Sequence, residues 1–141
     1  MARTKKNTPI KLVSVEQKAF RMDSSVLSPN DHDVLFGFNY SLSPNVKKDS
    51  VAVFFEIIMY TNDMQELLTL DTIHTFKVGN LPDFIEREDM GQARLTGIVK
   101  PLLDAVIGTT RGLLIAKTSG TPLSRFILPL IDVTRIARRS N

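Results

Sequence analysis

Four stretches in the first eighty residues carry the period-two pattern of strands, and the chain beyond them shifts toward a period of 3.6. Ile10, Leu12, Val13 and Val15 open the first stretch, and Phe20 and Met22 close it among polar neighbours, which predicts a strand over 10–22. Residues 23–33 hold Ser24-Ser25, Ser28-Pro29-Asn30 and Asp31-His32-Asp33, which is loop chemistry. Val34, Phe36, Phe38, Tyr40 and Leu42 then alternate without a break, so a strand over 34–42 presents all five on one face. Ser43-Pro44-Asn45 and Lys47-Lys48-Asp49 predict a hairpin connection. Residues 50–61 are apolar on both parities, from Val53-Phe54-Phe55 to Ile57-Ile58-Met59, which predicts a central strand. After a turn at Asn62-Asp63, Leu68, Leu70, Thr72, His74, Phe76 and Val78 extend the sheet to about Asn80.

The pattern changes at Leu81-Pro82. Pro82 to Met90 predicts a short helix, with proline in its first turn and acids early. Leu102, Leu103, Val106, Ile107, Leu113 and Leu114 follow a helical period, and Pro101 either opens that helix or kinks it. Gly108 and Gly112 share one face and would let the helix approach a neighbour closely. Gly120 can supply the left-handed residue that ends the helix. Phe126 to Ile131 should be extended, because Pro129 disfavours helix just before it. Strands followed by helices predict an α+β fold: a four-stranded antiparallel meander with helices packed on one face.

A chain of 141 residues, 43% hydrophobic and 23% charged, fits one soluble domain. The reading places a basic tail at 1–9, the domain at 10–133 and a second basic tail at 134–141. No apolar run approaches the roughly 20 residues of a membrane span, and no apolar region follows the charges of Met1 to Lys6. There is no cysteine, which fits a cytoplasmic location and excludes disulfides. Arg3, Lys5, Lys6 and Lys11 at one end and Arg135, Arg138 and Arg139 at the other carry +7. The net charge is +3, which leaves −4 on residues 12–134. A nucleic-acid face would put its charge on the folded body, so nucleic acid is not the expected partner.

Motifs for chemistry are absent. Lys117-Thr118-Ser119-Gly120 is similar to the Lys-Thr-Gly element of penicillin-recognising enzymes, but no Ser-x-x-Lys accompanies it. A helix end closed by Gly120 accounts for the same residues. Gly108-Thr-Thr-Arg-Gly112 lacks the Gly-Lys-Ser/Thr ending of a phosphate loop. Asp31-His32-Asp33 has only one further histidine in the chain to join it, His74, so no metal is expected. Glu86, Glu88 and Asp89 read as a solvated helix face. The reading is a protein that is not an enzyme and uses no cofactor. What the first half has in surplus is large flexible apolar side chains, beyond what one layer of helix can cover. The other face of the sheet then needs a second subunit or a ligand, and Met22, Val26 and Leu27 could roof a groove beside the helix.

The order of parts resembles the SecB family of export chaperones. Val15 to Met22, with Phe20, resembles that family's first strand. Pro101-Leu-Leu-Asp-Ala-Val106 resembles the start of its main helix, and Gly120-Thr121 with Phe126-Ile-Leu-Pro129-Leu-Ile-Asp132 the segment after it. The resemblance covers about 10–133. It implies a homo-oligomer, a dimer or a tetramer built as a dimer of dimers, that holds unfolded or non-native polypeptide in hydrophobic grooves without nucleotide. The groove candidates are Phe20, Met22, Val26, Leu27, Phe36, Phe38, Leu68, Leu70, Leu103 and Ile107. Methionine and phenylalanine suit such a surface because they adapt to different partners. The chain departs from the family at Gln17, Arg21 and Thr69, which fall near its motor-docking carboxylates. Its C-terminal part is also shortened to Val133–Asn141. Both departures argue against a translocase motor as partner. The implied function is therefore an ATP-independent chaperone that binds non-native polypeptides, with export as one use; the alternative is a structural or assembly protein for one dedicated partner, such as an antitoxin-type client, without general chaperone activity.

Overall fold

The alternating segments form the strands β1 (Ile10–Met22), β2 (Leu35–Asn45), β3 (Ser50–Tyr60) and β4 (Glu66–Val78) of one antiparallel sheet. The computed structural model describes residues 9–87 and 93–134 of the 141-residue chain. Both tails predicted from the charge pattern lie almost wholly outside the described residues. Two short strands, β5 (Ile85–Arg87) and β6 (Ala93–Leu95), pair in a separate ribbon. The helix α1 spans Val99–Thr118.

Register explains which residues become core. Phe36, Phe38, Tyr40 and Leu42 lie opposite Met59, Ile57, Phe55 and Val53. Those four in turn lie opposite Leu68, Leu70, Thr72 and His74. Facing cross-strand partners share a side of the sheet, so these residues form one face, and the β3 members are buried. The α1 residues Leu102, Leu103, Val106 and Ile107 join them in a single hydrophobic cluster. Each such side chain contributes roughly 1.5–3 kcal/mol on burial. The opposite face of β3 is less covered, and Phe54 remains 42% exposed.

The uneven spacing in β1 has a cause. Bulges at Val13 and Lys18 each insert one residue into β1 against β4. Each extra residue shifts the alternation by one. Leu12, Val15 and Phe20 therefore all fall on the side of the sheet that faces the core, opposite Phe76, His74 and Leu70. The half of β1 from Lys11 to Lys18 is exposed throughout.

Two expectations are corrected. The strand order is β1-β4-β3-β2, so only β2, β3 and β4 form a meander. β1 crosses to the far edge and pairs with β4. The loop between β1 and β2 must span three strand spacings, about 14 Å, and residues 23–34 can reach well beyond that. The helix expected over 82–90 is also replaced. Leu81–Phe84 makes one 3-10 turn and the chain continues as β5; Glu88 and Asp89 fall outside the described residues. Proline and early acids suit a single turn as well as a helix, and Thr96 N donating to Phe84 O at 2.7 Å ties the ribbon closed instead. Among the described residues a single α-helix stands where several were expected.

Pro101 lies in the first turn of α1, where its missing N–H removes no helical bond. Lys117 lies in the last turn, and Gly120 follows with φ +79°. The Lys117–Gly120 motif is thus the helix end. Gly108 and Gly112 are exposed, and a Cβ at either would meet nothing within 4 Å. No described part of this chain makes the close approach that the glycine pair permits.

His74 is 0% exposed on β4. Its Nε2 lies 2.8 Å from Thr72 Oγ1, and Nδ1 has no hydrogen-bond partner. Burial pushes its pKa from 6.5 down to about 4. The folded state thus prefers neutral imidazole, so its contribution is complete above pH 6.5 and is lost as pH falls toward 4. Urea unfolding should lose roughly 3 kcal/mol across that window. His74→Gln should flatten that part of the pH profile.

Candidate functional site: a groove beside the helix end

β1 stops at Met22 because Asp23 turns the chain. Its carboxylate accepts from Ser25 N at 3.0 Å and caps a single 3-10 turn, Ser24–Val26. The Ser25 hydroxyl, and then this backbone bond, hold the Asp23 carboxyl below its ordinary pKa. A second turn follows, in which Ser28 N donates to Asp31 Oδ2 at 2.7 Å and Asp31 N to Ser28 O at 2.9 Å. The acids of Asp31-His32-Asp33 are therefore spent on local backbone: Asp33 Oδ1 accepts from Val34 N. Among the described residues no group of three or more His, Cys, Asp or Glu could hold a metal ion.

The chain after α1 forms the facing wall. Thr121 Oγ1 donates to Thr118 O at 2.7 Å and accepts from Leu123 N at 3.1 Å, capping the turn Pro122–Arg125. Leu123 is 0% exposed and anchors that turn. Arg111 of α1 donates to Leu128 O and Pro129 O at 2.8 and 2.9 Å, which lays the extended segment Phe126–Leu130 along the helix.

Between the two walls lies a groove of about 440 Å³. Ser24, Leu27, Ser28 and Pro29 line one side; Thr121, Pro122, Ser124 and Arg125 line the other. Cations mark both ends of the seam. Lys117 Nζ sits 4.7 Å above the centre of the Phe20 ring. Arg125 Nη2 donates to the Asp31 carbonyl at 2.9 Å, and its guanidinium lies 4.7 Å over the Phe126 ring. Such cation–ring contacts are worth about 0.5–1 kcal/mol at exposed sites.

Of the ten groove candidates, Leu27 lines this groove. Phe20 lies under Lys117 at its end, and Met22 and Val26 pack from the same stretch against the core. Phe36 and Phe38 are half-buried on β2, where Phe38 stacks on Phe55 at 5.9 Å. Leu68, Leu70, Leu103 and Ile107 lie inside the core between sheet and helix. The hydroxyls, prolines and arginine of the groove rim have no hydrophobic period. Only the loop signals at Ser24-Ser25 and Ser28-Pro29-Asn30 pointed to any of them.

The open face of the sheet carries a second cleft of about 340 Å³ with Phe54 and Ile73 beside Glu56 and Asp71. Glu56 and Asp71 are directly opposed across β3 and β4. Asn39 Nδ2 donates to Glu56 Oε1 at 2.9 Å, while Asp71 Oδ1 is buried without a hydrogen bond. Desolvation, then the Glu56 charge, raises the Asp71 pKa, and Arg21 opposes this in part. At the same edge, the Thr69 hydroxyl and then Arg21 hold the Glu66 carboxyl below its ordinary pKa.

The architecture is similar to that of a solved SecB-like chaperone. One such neighbour is the SecB-like chaperone Rv1957 of Mycobacterium tuberculosis, in complex with a ChAD peptide from the HigA1 antitoxin Rv1956. It superposes with a TM-score of 0.61 at 9% sequence identity, over 87% of this chain and 90% of that one. The likeness is one of fold. No family model matches the chain, and no curated protein sequence is similar to it.

Like charges facing each other across a strand pair destabilise by about 0.2–1 kcal/mol. Asp71→Asn should raise stability by about that amount at pH 7. A raised pKa means that the Asp71 penalty grows as pH rises above the ordinary carboxyl range. The gain should therefore vanish near pH 3, as denaturant melts at the two pH values would register.

Proposed function

We propose that the protein is an ATP-independent binder of polypeptide, which takes an extended or non-native segment into the groove between residues 24–29 and 121–125. The observation that carries this reading is the groove itself. Two loop walls, one after β1 and one after α1, bound an open groove. Leu27, Pro29 and Pro122 supply apolar surface, and Phe20 extends it under Lys117. The serine and threonine hydroxyls and Arg125 can meet the backbone of a bound chain, whose carbonyls and amides need partners wherever they lose water.

The remaining groove candidates take a supporting part in this reading. Met22 and Val26 pack against the core at the root of the loop wall, and Phe36 and Phe38 pack against it from β2. Leu68, Leu70, Leu103 and Ile107 hold the sheet and helix together. A homo-oligomer is part of the proposal, because Phe54 and Leu35 on the open face and Leu12 and Val15 on the β1 edge are each more than a third exposed.

The neighbour's antitoxin peptide favours a dedicated partner over general holding or export. A ligand of that kind is a short segment of one protein, which a groove of this size suits better than a whole unfolded chain. In a light-scattering assay without ATP, a holdase would suppress aggregation of an unrelated denatured protein at stoichiometric amounts. A dedicated binder would leave that aggregation unchanged and bind one peptide. Failure to bind any of a library of unstructured apolar peptides, by a folded sample, would sink both forms. Leu27→Ser should weaken peptide binding about tenfold, the effect of losing roughly 1.5 kcal/mol of apolar burial, with little change in the thermal melt.

A further inference from the structure

We propose that residues 24–33 are a gate over the groove, latched shut by Arg125 on the Asp31 carbonyl; the proposal rests on the polypeptide-binding reading above. Size gives a gate a use. The groove's 440 Å³ lies low in the range of about 300–1,000 Å³ that small-molecule pockets occupy. A six-residue extended segment already runs about 20 Å. Such a segment is gripped along more of its length if one wall moves to admit it and then closes over it.

The two walls differ in what holds them. The 121–125 wall is pinned by the buried Leu123 and by Thr121 bonding back to the last turn of α1. None of residues 24–33 is fully buried, and Val26 and Leu27 pack against the core only in part. The hydrogen bonds described for residues 24–31 stay within residues 23–31, with one exception. That exception is Arg125 Nη2 to Asp31 O at 2.9 Å, across 94 residues of sequence. The loop is rooted at one end by Asp23 N donating to Leu67 O at 2.8 Å and at the other by the buried Val34. Its own turns keep it stiff, so it can swing on these roots as one piece.

The latch is suited to exchange. Arg125 holds a main-chain carbonyl, not a side chain, and any extended polypeptide offers the same group. A guanidinium has five N–H donors in a fixed fork, and the Phe126 ring beneath it keeps the fork in place when the loop leaves. An incoming segment can therefore take over the bond from Asp31 as it enters. Opening the gate then leaves no donor without an acceptor.

The test uses the full-length chain. Hydrogen–deuterium exchange should show the amides of residues 27–33 exchanging at least fivefold faster in Arg125→Ala, with β3 and β4 unchanged. A fluorescein-labelled, unstructured 20-residue peptide rich in Leu and Phe should associate several-fold faster with the same variant in stopped flow. Unchanged loop exchange would overturn the latch. Faster exchange with an unchanged association rate would mean a brace rather than a gate, and overturn the proposal. A second variant closes the gate instead. The chain has no cysteine, so Ser28→Cys with Ser124→Cys can be bridged selectively by a short bis-maleimide. The bridged protein should lose the peptide that the unbridged one binds, and equal binding by both would again overturn the gate. Failure of the underlying reading looks different: the wild type itself binds no such peptide, which removes the gate together with its cargo.

Discussion

Antiparallel pairing of β1 with β4 leaves the end of β1 and the start of β2 at opposite edges of the sheet. The chain between them has to cross the sheet's end, and backbone in such a crossing must find hydrogen bonds without strand neighbours. It does so locally, through Asp23, Ser28 and Asp31. The result is a stiff strap that lies against the turn after α1. The groove, its two cation-capped aromatic rings and the Arg125 contact all follow from that crossing. Had β1 paired with β2, a tight turn would have stood in its place and there would be no second wall.

The helix imposes the other constraint. The 20-residue helix α1 shares one hydrophobic cluster with β3 and β4 and leaves the N-terminal half of β1 exposed. His74 and Thr72 illustrate the cost of that cover: polar side chains fall on the core face because the alternation of β4 places them there, and the histidine is held neutral as a result. The open face tolerates what the core cannot, including two opposed carboxylates at Glu56 and Asp71.

The strands were legible in the sequence because alternation is a direct record of which side of a sheet a residue faces. Val34 to Leu42 and Leu68 to Val78 could be read residue by residue. The order of strands was not legible, since alternation names a face and not a neighbour. The bulges at Val13 and Lys18 were visible only as irregular spacing. The short helix after Pro82 was misread because proline and acids start a 3-10 turn as readily as an α-helix. The groove was legible only in part. Searching for apolar side chains finds the core first, as Leu103 and Ile107 show. Only Leu27 belongs to both the apolar pattern and the groove wall. The residues that shape the rim, Ser124 and Arg125 among them, act through backbone turns and one long-range hydrogen bond that no local pattern encodes.

The crossing also has a kinetic meaning. β2, β3 and β4 are joined by short turns and can pair as soon as they are made, whereas Ile10 waits for Val78 and Phe20 for Leu70. Long-range pairing closes a large loop before any contact compensates it, and sheets that depend on it fold slowly. During synthesis β1 emerges first and is completed last, an unpaired apolar strand for most of that time. The chain thus spends its own folding in the extended, unpartnered state that its groove is shaped to receive.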